Sequence, residues 1–154
     1  MFNIVFVCTG NMCRSPMAEA ILRHKLLQLG RADFFVTSSG IHANDNQPAA
    51  PLAIEVCQEH EIDLSHHLTH ALNPKELFAS DLIFAMEPVQ KDFMVLFFPA
   101  LRDKVALLGS WPQPDTKKGL VPDPMGGDLK DYRKTFDVIS RHIDRIMPSL
   151  LELV

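Results

Sequence analysis

The sequence predicts an α/β fold: a single doubly wound domain over residues 1–154, with a four-stranded parallel sheet flanked by helices on both faces. Two observations carry that expectation. Short apolar runs of strand length alternate with stretches whose apolar residues recur every three or four positions, and such alternation builds a parallel sheet covered on both sides. At 154 residues and 47% hydrophobic content, the chain has the apolar material for one sizeable core and is cramped for two.

The elements follow in order. Asn3-Ile4-Val5-Phe6-Val7 reads as a buried first strand, and Ala18, Ile21, Leu22, Leu26 and Leu29 as one face of a first helix stopped at Gly30. Phe34-Phe35-Val36-Thr37 is the second strand, after which Ser38-Ser39-Gly40 is expected to turn the chain. Residues 41–50 are polar and loop-like. Pro51 opens a helix with Leu52, Ala53, Val56 and Cys57 on one side, which places Cys57 in the core. His60, His66, His67 and His70 offer no clean pair on one helix face beside a carboxylate, so a solvated loop is expected there and no metal site. Asn73 caps a short helix begun by Pro74, and Leu82-Ile83-Phe84-Ala85-Met86 is the third strand. Pro88 starts the next helix, whose Val89, Phe93, Leu96 and Phe97 share a face and read as core. Val105-Ala106-Leu107-Leu108 is the fourth strand. Tyr132, Phe136, Ile139, Ile143, Ile146 and Leu150 then mark a long amphipathic helix, which Pro148 should bend or fray.

Composition narrows the function. A net charge of −4 without a basic run argues against sequence-independent nucleic-acid binding and against a membrane surface. Met1 leads straight into a strand with no basic n-region or cleavage site, and three cysteines fit a reducing compartment better than a disulfide framework. A cytoplasmic protein is expected.

The chemistry is expected in Val7-Cys8-Thr9-Gly10-Asn11-Met12-Cys13-Arg14-Ser15-Pro16, a strand-to-helix turn. Backbone N–H groups and a helix N-terminus facing one point collect an anion. Cys8 enters the turn and Arg14 leaves it, so the chain curls around an oxyanion with sulfur and guanidinium at the same centre. A thiol is a strong nucleophile only as its thiolate, a form that a nearby helix N-terminus and arginine favour. Arginine presents a planar fork that takes two phosphate oxygens at once, where lysine is a point charge. Gly10 and Asn11 tolerate left-handed backbone. Ser15 is expected as the helix N-cap before Pro16, with a hydroxyl able to bond the thiolate. Thr9 and Met12 are expected at the mouth of the loop.

The bare spacing is weak, because three cysteines and seven arginines supply a Cys-x5-Arg pair by chance about one time in seven. The flanking strand and helix patterns raise its weight. In the ten residues from Val7 to Pro16 the chain resembles the low-molecular-weight protein tyrosine phosphatases, whose signature reads V-C-x-G-N-x-C-R-S-P. The resemblance extends through the Ser38 segment, Met86-Glu87 and Asp123-Pro124, nearly the whole chain.

The resemblance implies hydrolysis of phosphotyrosine and small aryl phosphates through a cysteinyl-phosphate, with no metal and no cofactor. Cys8 is then the nucleophile, and Arg14 binds phosphate together with the loop residues Thr9, Gly10, Asn11, Met12, Cys13 and Ser15. Asp123 is the general acid and base. Ser38 and His66 support the loop, and Cys13 is a redox partner for Cys8. The partner implied is a phosphotyrosine-bearing protein, a bacterial tyrosine kinase being one such. From the residues alone Asp115, Asp123 and Asp128 all remain open, since they share a proline- and glycine-rich stretch of a length that is usually functional. The family's Asp-Pro pair selects Asp123, whose backbone the flanking Pro122 and Pro124 restrict. Where many relatives carry tyrosine after Asp-Pro, this chain has Met125-Gly126, which weakens aromatic stacking on a substrate ring.

Two rivals are less well supported. An arsenate reductase on the same fold needs further cysteines near the third strand, and residues 80–95 contain none. A phosphotyrosine-binding module without catalysis would need neither Cys8 nor Asp123.

Overall fold

The structure, a computed structural model, describes residues 1–116 and 119–154. Along the chain run β1 (Phe2–Cys8), α1 (Arg14–Gln28), β2 (Phe34–Gly40), α2 (Pro51–Glu59), α3 (Pro74–Ala79), β3 (Leu82–Ala85), α4 (Pro88–Phe97), a 3-10 turn (Pro99–Lys104), β4 (Val105–Leu107) and α5 (Leu129–Leu151). The four strands form one sheet in the order β2-β1-β3-β4. Every pairing is parallel, with Phe6 opposite both Ser38 and Phe84, and Ala85 opposite both Val7 and Leu107.

Alternation along β1 divides the core in two. Ile4, Phe6 and Cys8 face α1, α2 and α5, where Leu22, Val56, Phe136 and Ile143 close over them. Phe6 stacks on Phe84 at 5.5 Å between centroids. Val5 and Val7 point the other way, into a smaller cluster with Leu77 of α3, Met94 of α4, Leu101 and Val105. Helices therefore cover both faces, as expected. Because β2 and β3 lie on opposite sides of β1, the strand order reverses there, and a crevice opens beyond the carboxyl ends of β1 and β3.

Three local expectations are corrected. Ser38, Ser39 and Gly40 do not turn the chain: they extend β2, paired with Phe6, Val7 and Cys8 to the end of β1. Glycine is required at 40, since a Cβ there would sit 2.8 Å from the Thr9 carbonyl oxygen and 2.9 Å from the Asn11 nitrogen. α4 turns Gln90 and Met94 inward, not its predicted apolar face; Val89, Leu96 and Phe97 are exposed. The reason is polar. Gln90 Oε1 accepts from the backbone N–H groups of Met86 and Glu87, and its Nε2 donates to Thr9 Oγ1, which fixes the rotation of the helix. Pro148 does not fray α5, which runs through it to Leu151. Among the described residues, no helix is long and apolar enough to cross a membrane.

Candidate active site

Residues 8–15 leave the end of β1 and curl into α1. Asn11 takes the left-handed conformation (φ 56°), while Gly10 stays outside it. The turn brings the Asn11 N–H to 3.3 Å from Cys8 Sγ and Ser15 Oγ to 2.9 Å from it. Ser15 is not the N-cap: Cys13 holds that position and α1 begins at Arg14. The hydroxyl of Ser15 is turned away from the helix amides because Cys8 and Asn11 claim it. Asn11 Nδ2 donates to Ser15 Oγ at 2.9 Å, leaving the serine proton to choose between Cys8 Sγ at 2.9 Å and the Ser39 carbonyl at 3.5 Å. With Cys8 as a thiolate, which has no proton to give, Ser15 is the donor to sulfur.

Behind the loop a buried polar network satisfies Asn11. Its Nδ2 also donates to Ser38 Oγ (2.9 Å), its Oδ1 accepts from the His70 N–H (3.1 Å), and Ser38 Oγ donates to Glu19 Oε1 (2.7 Å). The histidine against the loop is His67, whose Nε2 donates to the Asn11 carbonyl at 2.8 Å. Burial depresses the His67 pKa below its ordinary 6.5, which favours the neutral ring. His66, the residue expected there, is exposed and lies 3.6 Å from Asp63. The resemblance placed the supporting histidine one residue early, since adjacent histidines in a loop carry no periodicity to tell which points inward. The remaining two go elsewhere: His60 stacks on Phe136 and His70 Nε2 faces Glu76.

Arg14 is buried, and its charge is compensated from two loops. Nη1 donates to Glu87 Oε1 and to the Val121 carbonyl, each at 3.1 Å, and Nη2 lies 3.6 Å from Asp123 Oδ2. The other oxygen of Asp123 accepts from the Met125 N–H at 3.0 Å. The three candidate aspartates thus part. Asp115 pairs with Lys91, Asp128 caps α5 through the Asp131 N–H, and Asp123 reaches Arg14 at the end of the 8–15 loop. Gln90 and Glu19 were not foreseen, and Glu87 carried no assigned role. Glu87 and Gln90 stand at capping-box spacing before an apolar helix, a signal that was there to be read.

The other sulfurs are poor nucleophiles. Burial pushes Cys13 up to about 11 and Cys57 up to about 12, so both remain thiols at neutral pH. Cys13 Sγ rests 3.4 Å from Tyr132 Oη. Thr9 is exposed at the rim and Met12 partly buried, with the half-exposed Met125 beside Asp123. The arrangement can hold a tetrahedral oxyanion over one sulfur, with a guanidinium and a carboxyl group alongside.

Known proteins share this sequence pattern and this fold along nearly their whole length. A family model described as low molecular weight phosphotyrosine protein phosphatase matches residues 3–153. The probable low molecular weight protein-tyrosine-phosphatase EpsP of Ralstonia nicotianae is 35% identical over 98% of this chain and 97% of its own length. A protein-arginine-phosphatase of Bacillus subtilis is 34% identical over 96% of each chain. Among solved structures, the low molecular weight protein tyrosine phosphatase from T. tengcongensis superposes with a TM-score of 0.89 at 36% identity, covering 97% of this chain and 99% of that one. The chain belongs to the low molecular weight phosphotyrosine protein phosphatase family, whose members are cysteine-dependent hydrolases.

Proposed function

We propose that the protein hydrolyses phosphotyrosine, and small aryl phosphates with it, in two steps at Cys8. The thiolate of Cys8 attacks phosphorus; the bond from phosphorus to the phenolic oxygen breaks, and Asp123 gives that oxygen its proton. Arg14, with the backbone amides of Thr9, Gly10, Asn11, Met12, Cys13 and Ser15, carries the charge on the equatorial oxygens. Asp123, now a carboxylate, takes a proton from water as it attacks the cysteinyl-phosphate. Phosphate leaves, and the sulfur departs as a thiolate supported by Ser15 and the Asn11 N–H. Ser38 and His67 hold Asn11 in place. Arg14 and the amides supply the charge stabilisation, so the scheme needs neither metal nor cofactor.

The observation that carries the reading is the meeting of Asp123 with Arg14, from a loop far along the chain, at the loop where Cys8 faces Ser15. Relatives named for tyrosine and for arginine dephosphorylation match about equally well, so the mouth decides. Met12 and Met125 offer apolar, polarisable surface there, which suits an aryl ring better than a cationic guanidinium. The cysteine usage fits action in the cytoplasm, on a phosphotyrosine-bearing protein such as a bacterial tyrosine kinase.

The test is steady-state hydrolysis of 4-nitrophenyl phosphate, a phosphotyrosine peptide and a phosphoarginine peptide by wild type and Cys8→Ser. Wild type should turn over the aryl esters, with an acid-quenched phosphoenzyme detectable by mass spectrometry, and Cys8→Ser should be inactive. Preference for phosphoarginine, or activity surviving in Cys8→Ser, would overturn the reading.

A further inference from the structure

We propose that the outer face of α4 is a docking surface for the polypeptide carrying the phosphotyrosine, and that it takes apolar side chains flanking the phosphorylated residue. The inference rests on the phosphatase reading and adds a substrate preference to it. Val89, Leu96 and Phe97 are 66%, 73% and 61% exposed, and Phe93, stacked against Phe97 at 4.4 Å, joins them into one stripe. An apolar face of this kind on a folded domain usually marks a contact surface.

Its place says which. Glu87, at the N-cap of α4, bonds Arg14, and Gln90 bonds Thr9 Oγ1. Phe93 meets the edge of the His42 ring, and the His42 N–H donates to the Thr9 carbonyl at 2.8 Å. The stripe is therefore continuous with the rim of the phosphate loop. The same Gln90 bonds that anchor the helix beside the loop turn the stripe outward, so its exposure follows from the construction of the site. From Val89 to Phe97 it spans about 12 Å at helical rise, the reach of about four residues of extended peptide. A chain whose phosphotyrosine sits over Cys8 would lay its neighbouring side chains there.

The experiment compares two phosphotyrosine peptides that differ only in flanking residues, leucine and phenylalanine in one and serine in the other. Wild type should show kcat/KM about tenfold higher for the apolar peptide, the scale of one good interface anchor. Leu96→Ser/Phe97→Ser should remove that preference while 4-nitrophenyl phosphate hydrolysis stays unchanged. Single Val89→Ser, at another exposed position, should give part of the loss. Equal rates for both peptides in wild type would overturn the proposal. So would a dimer seen by sedimentation equilibrium that the double variant dissolves without altering peptide preference, because the face would then belong to a second copy. If 4-nitrophenyl phosphate itself is not hydrolysed, the phosphatase reading fails first and this proposal falls with it.

Discussion

Asp123 Oδ2 stands 3.6 Å from Arg14 Nη2, while Asp123 Oδ1 accepts from the Met125 N–H. One carboxylate is thereby oriented by Arg14 and by its own loop at once. A phenolate leaves poorly without a proton, so the oriented acid should matter most where the leaving group is most basic. Asp123→Ala is expected to slow turnover by about 10²- to 10⁴-fold for phosphotyrosine and far less for 4-nitrophenyl phosphate. Asp115→Ala, which removes the partner of Lys91, should show no such dependence. A leaving-group series run on both variants checks the assignment, and the reverse pattern would refute it.

Ser15 should act mainly on the second step. Its hydroxyl is held 2.9 Å from Cys8 Sγ, where it would stabilise sulfur departing as a thiolate. A hydrogen bond to a charged group is worth about 1.5–3 kcal/mol, so Ser15→Ala should slow breakdown of the cysteinyl-phosphate by roughly 10- to 150-fold. Rapid-quench kinetics should then show a burst of phenol and an accumulated phosphoenzyme. Equal slowing of both steps, with no burst, would mean that the serine only supports the shape of the loop.

How much of this was legible depended on the length scale of the signal. Strand and helix order followed from apolar periodicity, and Cys8 and Arg14 stood in a ten-residue pattern specific enough to name, while Asp123 was chosen among three aspartates by the family's Asp-Pro pair alone. Contacts set by tertiary geometry were not legible in that way. Ser38 continues a strand because β1 offers it a partner, and nothing in the Ser-Ser-Gly composition says so. The α4 face read as core because its period is helical, yet period cannot say which side a buried glutamine will claim. His67 replaced His66 for the same reason: one residue of register in a loop is fixed by what it touches.

His67 also gives the molecule a pH dependence of stability. Its folded-state pKa lies below the ordinary 6.5 because burial disfavours the charged ring. The unfolded chain therefore takes up the proton first as pH falls, and stability rises with pH across that window. Stability should be full above about pH 7 and decline as the medium is acidified through the unfolded and then the folded value. His142, likewise depressed by burial, adds to the slope. Urea denaturation at several pH values should show His67→Gln losing part of this decline, and an unchanged slope would rule the contribution out.

Cys13 is the natural test of oxidative protection. Peroxide should convert the Cys8 thiolate to a sulfenic acid; the Cys13 thiolate should then displace hydroxide from that sulfur, closing a disulfide that would block further oxidation. Burial pushes Cys13 up to about 11, so the closing step should accelerate as pH rises toward that value. Tyr132 opposes the burial, since its hydroxyl bonds Cys13 Sγ at 3.4 Å and favours the thiolate. Tyr132→Phe should consequently slow disulfide closure while leaving peroxide attack on Cys8 unaltered. Mass spectrometry after brief peroxide treatment should find a Cys8–Cys13 link that dithiothreitol reverses. Its absence at every pH, with Cys8 passing to sulfinic acid instead, would leave Cys13 as a packed thiol bonded to Tyr132.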